Sequence, residues 1–243
     1  MSKQGVVPIF GIPRSLENCR KEGSMIPWKQ VFQEAGAVWI HNGQPAAPHA
    51  ELTSGLHSDG FVNCTFVTRQ PGLVRQMVSK NQPFGMEPNL WPVLAPLLPQ
   101  VDWVVGSAFG AITLASAIAE EAGGGMMAGF TEKDADLMKL ARFEIGKTQR
   151  VLVVEDVIST GGSTLKTIAG IVASGVPAEN ILPYIVCLVN RSGSKLLDGR
   201  AIRALLEPEI HTWQPDQCPL CQGGSKALRP KKNWAELTGN KVA

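Results

Sequence analysis

The stretch VLVVEDVISTGGST, residues 151–164, decides the fold of this 243-residue chain. Four consecutive apolar residues, 151–154, predict a buried strand, and the stretch TLKTIAGIVASG that begins at Thr164 predicts a helix. We expect that helix to bury the face that carries Leu165, Ile168, Ile171 and Val172. A strand, a glycine-containing turn and a helix in this order form the repeating unit of a parallel α/β sheet.

The turn in this stretch has the composition of a phosphate-binding loop. Glycines let backbone N–H groups point toward a ligand, hydroxyl groups add donors, and the start of a helix favours an anion. Glu155 and Asp156 stand at the strand end, where carboxylates can accept hydrogen bonds from vicinal hydroxyl groups. The pattern is neither a Walker loop nor a G-x-G-x-x-G loop. It is typical of a sugar-phosphate site whose phosphate is bound by Ser159, Thr160, Gly161, Gly162, Ser163 and Thr164.

Composition alone is equally compatible with a capped helix after a buried strand that carries two surface acids. The sequence on both sides favours the larger α/β pattern. Apolar, strand-like runs alternate with helical stretches: VDWVV (101–105), AITLASAIAEEA (111–122), MMAGF (126–130), ILPYIVCLV (181–189) and IRALLEPEI (202–210). This alternation predicts a doubly wound, mainly parallel sheet over about residues 90–210. Ligands of such sheets bind beyond the carboxyl ends of strands, which also singles out SAFGA, residues 107–111.

The chain before this core is less regular. PWKQVFQEAGA (27–37) and PGLVRQMVSK (71–80) predict helices, whereas AVWI (37–40) and GFVN (60–63) predict short strands. Residues 83–99 contain five prolines, and we expect an extended connection there.

Composition excludes several classes of protein. With 44% hydrophobic and 18% charged residues the chain is expected to form a packed core, and its net charge of +2 does not favour nucleic acid as a partner. No apolar run reaches the roughly 20 residues that span a bilayer, and the first residues do not resemble a signal peptide. Five cysteines at irregular spacing do not form a disulfide framework, so we expect a cytoplasmic protein with no membrane partner.

The order of features in residues 151–164 resembles the phosphoribosyl pyrophosphate motif of type I phosphoribosyltransferases: four apolar residues, two acids, two apolar residues and a small hydroxyl- and glycine-containing loop. The resemblance implies the Rossmann-like doubly wound sheet of that family with an N-terminal hood. It also implies Mg²⁺ as cofactor, held mainly by the substrate with no direct protein ligation, and a homodimer.

Three further stretches resemble orotate phosphoribosyltransferases in particular. ELTSGLHSDGFVN (51–63) is similar to the base-pocket segment and implies that Ser54, Ser58 and Phe61 contact the base. CLVNRSG (187–193) is similar to the segment whose arginine binds the orotate carboxylate, here Arg191, although a surface arginine is the alternative. GSAFGAITLA (106–115) is similar to the pyrophosphate-binding loop, and its Ala108–Phe109 bond is the candidate for a non-proline cis peptide. The residues of this loop that would contact the pyrophosphate leaving group are Ser107, Ala108, Phe109 and Gly110.

The catalytic loop departs from the family pattern of an Arg-Lys pair followed by another lysine and a histidine. In FTEKDADLMKLARFEIGK (130–147), Lys133 fits the second member of the pair, and Glu132 replaces its arginine. Asp136 and Met138 fall near the later lysine and histidine, and the lysine before the base-pocket Ser-Gly pair is Thr53. Fewer cations predict weaker stabilisation of departing pyrophosphate. The cations that could compensate from shifted positions are Lys139, Arg142 and Lys147.

The resemblance covers about residues 25–205 and implies four segments. These are an irregular N-terminal segment (1–24), a hood with the base pocket (25–89), the phosphoribosyltransferase core (90–210) and a C-terminal extension (211–243).

The resemblance implies transfer of ribose 5-phosphate from phosphoribosyl pyrophosphate to a nucleobase, with release of pyrophosphate. Glu155 and Asp156 would hold the ribose hydroxyl groups, and the loop around Lys133 would close over the site. Orotate is the first acceptor to expect, and a purine or another pyrimidine is the second. A regulator that binds the nucleotide or phosphoribosyl pyrophosphate without catalysis is the alternative of a different class, motivated by the altered loop.

The C-terminal extension contains CPLC, Cys218 to Cys221, which has the two-residue spacing of a zinc knuckle. No second ligand pair lies near it in the sequence, although His211 is a candidate third ligand. We interpret the motif as a turn at Pro219 with two reduced thiols, and a metal site remains the alternative. His41 and His49 are interpreted as surface groups, whereas His57 lies within the base-pocket segment.

Overall fold

The computed structural model describes residues 25–82 and 85–238, so the predicted irregular segment 1–24 lies outside the described residues. Contacts divide the described chain into two units that are interleaved along the sequence. The first unit comprises residues 25–35 and 64–208, and the second comprises residues 36–63 and 209–238. The four sequence segments with boundaries at 24, 89 and 210 stay a prediction.

The elements of the described residues are numbered in chain order. The α-helices are α1 (Trp28–Glu34), α2 (Thr65–Thr68), α3 (Pro71–Val78), α4 (Trp91–Leu94), α5 (Ile112–Ala122), α6 (Gly162–Ala173), α7 (Pro219–Gln222) and α8 (Pro230–Thr238, kinked at Asn233). The strands are β1 (Val38–Ile40), β2 (His49–Glu51), β3 (His57–Ser58), β4 (Gly60–Val62), β5 (Trp103–Ser107), β6 (Met127–Asp134), β7 (Leu137–Lys139), β8 (Val151–Ile158), β9 (Ile181–Asn190), β10 (Leu196–Leu197), β11 (Arg200–Leu206), β12 (Thr212–Trp213) and β13 (Ala227–Leu228).

The first unit is built on a seven-stranded sheet, in the described part of the chain, with the order β10-β11-β9-β8-β5-β6-β7. Its five inner strands run parallel, whereas the edge strands β7 and β10 run antiparallel to their neighbours. The doubly wound, mainly parallel sheet is therefore confirmed. The chain first adds β6 on one side of β5 and then β8 on the other, so the order of the parallel strands reverses between β5 and β8. Such a switch point is where open α/β sheets bind ligands.

Both faces of this sheet are buried. Val151 and Val153 of β8 belong to an apolar cluster with Ile168 and Ile171 of α6. The intervening Leu152 is equally buried, and because successive strand residues point to opposite faces it belongs to the other side of the sheet. Continuous apolar strands are what such two-sided burial requires.

The buried face of α6 differs from the predicted one. Ile168 and Ile171 are buried as expected, but Leu165 and Val172 are 37% and 39% exposed. The helix instead buries Thr164, Thr167 and Gly170 beside the two isoleucines. The physical reason is that α6 contacts β7 as well as β8, so small residues face the strand that passes close by.

The described part of the proline-rich stretch, residues 85–99, is more regular than expected, since it contains α4 and the start of a 3-10 turn at Leu98–Gln100. Proline is compatible with the first turn of a helix, where its missing N–H has no intrahelical partner. The predicted helices at 27–37 and 71–80 and the strands at 37–40 and 60–63 are confirmed as α1, α3, β1 and β4. No helix of the described residues is long and apolar enough to cross a membrane.

The second unit combines the segment 36–63 with the C-terminal segment. Its sheet has the order β12-β3-β2-β13, in which β12 and β13 come from the C-terminal segment, and β1 pairs with β4 in a separate ladder. Helix α8 packs against β2. Both strands of the C-terminal segment therefore take their partners from the segment 36–63, whose own strands also pair with one another.

Gly170→Ala should separate α6 from the β6–β7 hairpin. A Cβ atom at this position would lie 2.1 Å from the backbone oxygen of Met138, which cannot move without displacing β7. We expect a loss of about 1–3 kcal/mol in the free energy of unfolding, despite the higher helix propensity of alanine. Gly162→Ala on the same helix is the control, because its Cβ would meet nothing closer than 3.7 Å. Chemical denaturation of both variants checks this, and equal stability would contradict it.

Candidate active site at the switch point of the sheet

The carboxyl ends of β5 and β8 lie side by side, because Gly106 pairs with Val154 in the parallel ladder. The next residues, Ser107 and Glu155, are hydrogen-bonded: the Ser107 hydroxyl donates to Glu155 Oε1 over 2.5 Å. Thr164 at the start of α6 donates to Glu155 Oε2 over 3.3 Å. One buried carboxyl group thus joins the predicted pyrophosphate loop, the acid pair and the phosphate loop.

Glu155 is only 3% exposed, and burial raises its pKa from an ordinary value of 4.5 to about 8. The neighbouring Asp156 carboxylate adds to this rise, whereas the hydrogen bond from Ser107 opposes it. The protonated form is therefore favoured at neutral pH, since a buried carboxylate near a second negative charge is costly. Its contacts favour a role in holding the two loops together over direct contact with a ligand.

Asp156 is the partly exposed member of the acid pair. Its Oδ1 accepts a hydrogen bond from the Val157 N–H over 2.9 Å, and the Cys64 thiol lies 3.6 Å from its backbone oxygen. A Cβ atom at Gly110 would lie 2.2 Å from Asp156 Oδ2, so the loop after β5 approaches this carboxylate as only a glycine can. A larger residue at position 110 would displace Asp156.

The phosphate loop opens α6 without a side-chain cap in the described structure. Gly161 has a left-handed backbone with φ of 78°, and a Cβ atom there would lie 2.4 Å from Leu197 Cδ1. Glycine is therefore required at this position by both conformation and space. The first-turn N–H groups of α6 face the loop, and the exposed residues beside them are Ser159, Thr160, Gly162 and Ser163. Thr164 is buried, and its hydroxyl is directed to Glu155.

The peptide bond between Ala108 and Phe109 is cis, which confirms the candidate identified from the sequence. The Ala108 N–H donates to the backbone oxygen of Thr131 on β6 over 2.9 Å. The Phe109 side chain is 87% exposed. The loop is thus anchored at its base and presents its aromatic side chain to solvent.

The stretch around Lys133 forms the β6–β7 hairpin. Lys133 is exposed, whereas its neighbour Glu132 forms an ion pair with Arg142. Asp134 forms an ion pair with Lys139. Lys139 and Arg142, two of the cations that could compensate for the missing family residues, are therefore paired with carboxylates. Such exposed ion pairs are weak enough to exchange partners.

The residues expected to contact the base lie in different units. Arg191 follows β9 in the first unit and is partly buried. Its backbone N–H donates to the backbone oxygen of Ile158 at the end of β8 over 2.9 Å. In the second unit Ser54 is exposed, and the Phe61 ring packs edge-on against Trp234 of α8 at 5.8 Å between centroids.

Ser58, also expected to contact the base, is fully buried. Its hydroxyl lies 2.7 Å from the His211 oxygen and 2.9 Å from the Gly60 oxygen. These contacts use the Ser58 hydroxyl within the second unit, and its predicted contact with the base stays a prediction.

No protein-family profile matches this chain. It is 33% identical over 203 residues to orotate phosphoribosyltransferase from Caldicellulosiruptor bescii, a match that covers 83% of this chain and 94% of that relative. It is 32% identical over 187 residues to the protein of the same name from Caldanaerobacter subterraneus, covering 75% of this chain and 87% of that relative. The chain belongs to the orotate phosphoribosyltransferase family.

The solved structure of orotate phosphoribosyltransferase from Aeropyrum pernix is similar in fold, with a TM-score of 0.50 at 18% identity. The match covers 73% of this chain and 92% of that chain. The fold of this orotate phosphoribosyltransferase family member is that of the type I phosphoribosyltransferases.

Sequence reasoning missed the contacts that organise this site. Strand alternation could have revealed part of them, because Glu155 continues the face of Val151 and Val153 that α6 covers, whereas Asp156 points to the other side. Nothing in the sequence pattern indicated that Thr164 and Ser107 converge on the same carboxyl group.

Glu155→Gln should change how the stability of this family member depends on pH. In the wild type, the unfolded chain loses the Glu155 proton near pH 4.5 while the folded chain keeps it to about pH 8. This group therefore lowers the free energy of unfolding as pH rises through that window, and glutamine removes the effect. The stability of the variant relative to the wild type should rise from pH 4.5 to about 8 in denaturant titrations.

The exposed Glu179→Gln is the control, and its difference from the wild type should stay flat over the same range. A flat profile for Glu155→Gln as well would show that Glu155 ionises normally in the folded protein.

Proposed function

We propose that this protein transfers ribose 5-phosphate from phosphoribosyl pyrophosphate to orotate, forming orotidine monophosphate and releasing pyrophosphate. The observation that carries the proposal is the junction of the predicted pyrophosphate loop and the predicted phosphate loop at Glu155 of the acid pair, at the switch point of the sheet. Curated relatives named orotate phosphoribosyltransferase over most of the chain support the choice of orotate. A purine or another pyrimidine is the second class of acceptor.

The phosphate loop would bind the 5-phosphate of the ribose. Exposed hydroxyl groups at Ser159, Thr160 and Ser163 surround first-turn N–H groups that no side chain caps among the described residues. A dianion is stabilised at such a helix start. Because the 5-phosphate does not react, its binding energy serves to orient the anomeric carbon.

Asp156 would bind the ribose hydroxyl groups and stabilise positive charge that develops at the anomeric carbon. Asp156 is partly exposed next to the loop after β5, whereas Glu155 is buried against that loop and the start of α6. We therefore assign Glu155 to positioning the two loops and Asp156 to contact with the substrate. Both carboxyl groups remain in the catalytic machinery.

Mg²⁺ is the cofactor that the family implies, and the donor groups present are compatible with it. We expect the substrate to hold this ion without direct protein ligation, and the partly exposed Asp156 carboxylate next to the proposed phosphate site is electrostatically compatible with a bound cation. When bound, the ion would neutralise charge on the pyrophosphate. The pyrophosphate leaving group would also contact residues of the protein. These are Lys133 of the β6–β7 hairpin and the loop residues Ser107, Ala108, Phe109 and Gly110.

Arg191 would pair with the carboxylate of orotate, and Phe61 and Ser54 would contact the base. A guanidinium group matches a planar carboxylate through paired hydrogen bonds. We further propose a homodimer in the cytoplasm, as the resemblance implies, with no nucleic acid or membrane as partner.

A panel assay of pyrophosphate release tests the activity. Full-length protein, phosphoribosyl pyrophosphate and Mg²⁺ are mixed with orotate, uracil, adenine or hypoxanthine. Release with orotate above the other bases is expected. Pyrophosphate release with a purine alone would show that a purine, and not orotate, is the acceptor. No pyrophosphate release with any base, despite tight binding of phosphoribosyl pyrophosphate, would favour the non-catalytic regulator. Glu132 in place of the family arginine motivates this alternative.

Asp156→Asn should lose at least about 100-fold in turnover with orotate, the scale of removing one charged group that stabilises a transition state. The exposed Asp198→Asn is the matched control and should turn over as the wild type does. Near-ultraviolet circular dichroism checks that both variants are folded. Normal turnover in folded Asp156→Asn would remove the role assigned to this carboxylate.

A further inference from the structure

Four potential metal ligands meet inside the second unit: His49, His57, Cys218 and Cys221. Their donor atoms all lie within 4.8 Å of one another. The structure corrects two sequence interpretations here, since His49 is fully buried and His211 pairs with Asp59 outside this cluster. The second ligand pair that the sequence analysis did not find comes from strands β2 and β3, more than 150 residues before the cysteines.

The distances within this cluster match the edges of a tetrahedron around zinc. His49 Nε2 lies 3.1 Å from His57 Nδ1 and 3.5 Å from Cys221 Sγ, which is itself 3.2 Å from His57 Nδ1. Cys218 Sγ lies 3.6 Å from His49 Nε2. Bond lengths of about 2.0 Å to nitrogen and about 2.3 Å to sulfur give tetrahedral edges of roughly 3.3 Å between nitrogens and roughly 3.6 Å between nitrogen and sulfur.

A second layer of hydrogen bonds orients the His49 ring. The Ser225 hydroxyl donates to the Ala47 oxygen over 2.5 Å, so its own oxygen is left to accept from His49 Nδ1–H over 2.8 Å. This fixes the tautomer of His49, and the lone pair of Nε2 points at the two sulfurs and at His57. Histidine ligands of zinc are held in this way by a partner of their other nitrogen.

The cluster is also where the second unit needs a cross-link. Its two chain segments, 36–63 and 209–238, form a unit below the roughly 70–80 residues at which an apolar core alone suffices. Its larger buried apolar side chains in the described residues are Val38, Leu52, Val62, Leu228 and Leu237. Each segment contributes one ligand pair, His49 with His57 and Cys218 with Cys221.

We propose that these four side chains bind one Zn²⁺ ion in a closed, tetrahedral, structural site that holds the C-terminal segment to the β2–β3 hairpin. Two thiolates and two imidazoles are the donor set and geometry that select zinc among the common metals. All four positions are filled by protein, so no position is open for a substrate. Zinc binding at these four side chains does not depend on the proposed transferase activity.

Metal analysis of the full-length protein tests the proposal. The protein is purified without a metal-affinity tag and measured by inductively coupled plasma mass spectrometry, and about one zinc per chain is expected from the four-ligand site. Protein stripped with a chelator and refilled with Co²⁺ should show the visible bands of a tetrahedral ion and a thiolate-to-cobalt charge-transfer band. Absence of metal together with no such spectrum on Co²⁺ addition would overturn the proposal, as would a Cys218–Cys221 disulfide in the protein as isolated.

Variants separate this site from adventitious metal. Cys221→Ser and His57→Asn should lose the zinc and lower the melting temperature, whereas His211→Asn, outside the cluster, should keep the zinc. Ser225→Ala should fold and still bind, but with zinc affinity reduced about 10–100-fold in chelator competition, because it removes the partner of His49 Nδ1. Unchanged affinity in Ser225→Ala together with full zinc in Cys221→Ser would contradict the assigned ligands. If the ligand variants fail to fold, the metal content and the cobalt spectrum of the wild-type protein still decide whether the four-ligand site binds zinc.

Discussion

The hydrogen bonds that Ser107 and Thr164 donate to the buried carboxyl group of Glu155 are the constraint on which the site depends. They join the ends of two adjacent parallel strands to the start of the helix that crosses over them. Because a buried carboxyl group is costly without hydrogen-bond partners, these two contacts stabilise the arrangement of the loops that provide them. Asp156, the next residue along β8, is then presented at the switch point of the sheet with its carboxylate accessible.

Residues 151–164 predicted the family, and together with the alternating runs on both sides they predicted the sheet, whereas the location of the substrate site stays a prediction. Their chemistry is local: apolar residues for a two-sided sheet, carboxyl groups at its edge and glycines where the backbone must turn. The packing of three predicted ligand contacts was not foreseen from the sequence. Glu155 and Thr164 are buried and hydrogen-bonded to each other, and the Ser58 hydroxyl is bonded within the second unit. Their contact with a ligand stays a prediction. Leu165 and Val172 were misassigned because β7 lies against α6.

The C-terminal segment illustrates a second limit of sequence reasoning. A Cys-x-x-Cys pair without a neighbouring pair carries little information, since its partners can come from any part of the chain. Here strands β12 and β13 pair with the hairpin formed by β2 and β3, which brings His49 and His57 to the cysteines. The ligand set is therefore a property of the topology. The same segment supplies Trp234, which packs on Phe61, so the proposed base-contact ring rests on a part of the chain outside the family resemblance.

We propose that phosphoribosyl pyrophosphate binds at the junction between β5, β8 and α6. A crystal structure with phosphoribosyl pyrophosphate and Mg²⁺ is the decisive test. We expect the 5-phosphate on the backbone N–H groups at the start of α6 and the ribose hydroxyl groups on the Asp156 carboxylate, with Glu155 still bonded to Ser107. A 5-phosphate bound elsewhere, or ribose hydroxyl groups away from Asp156, would contradict it.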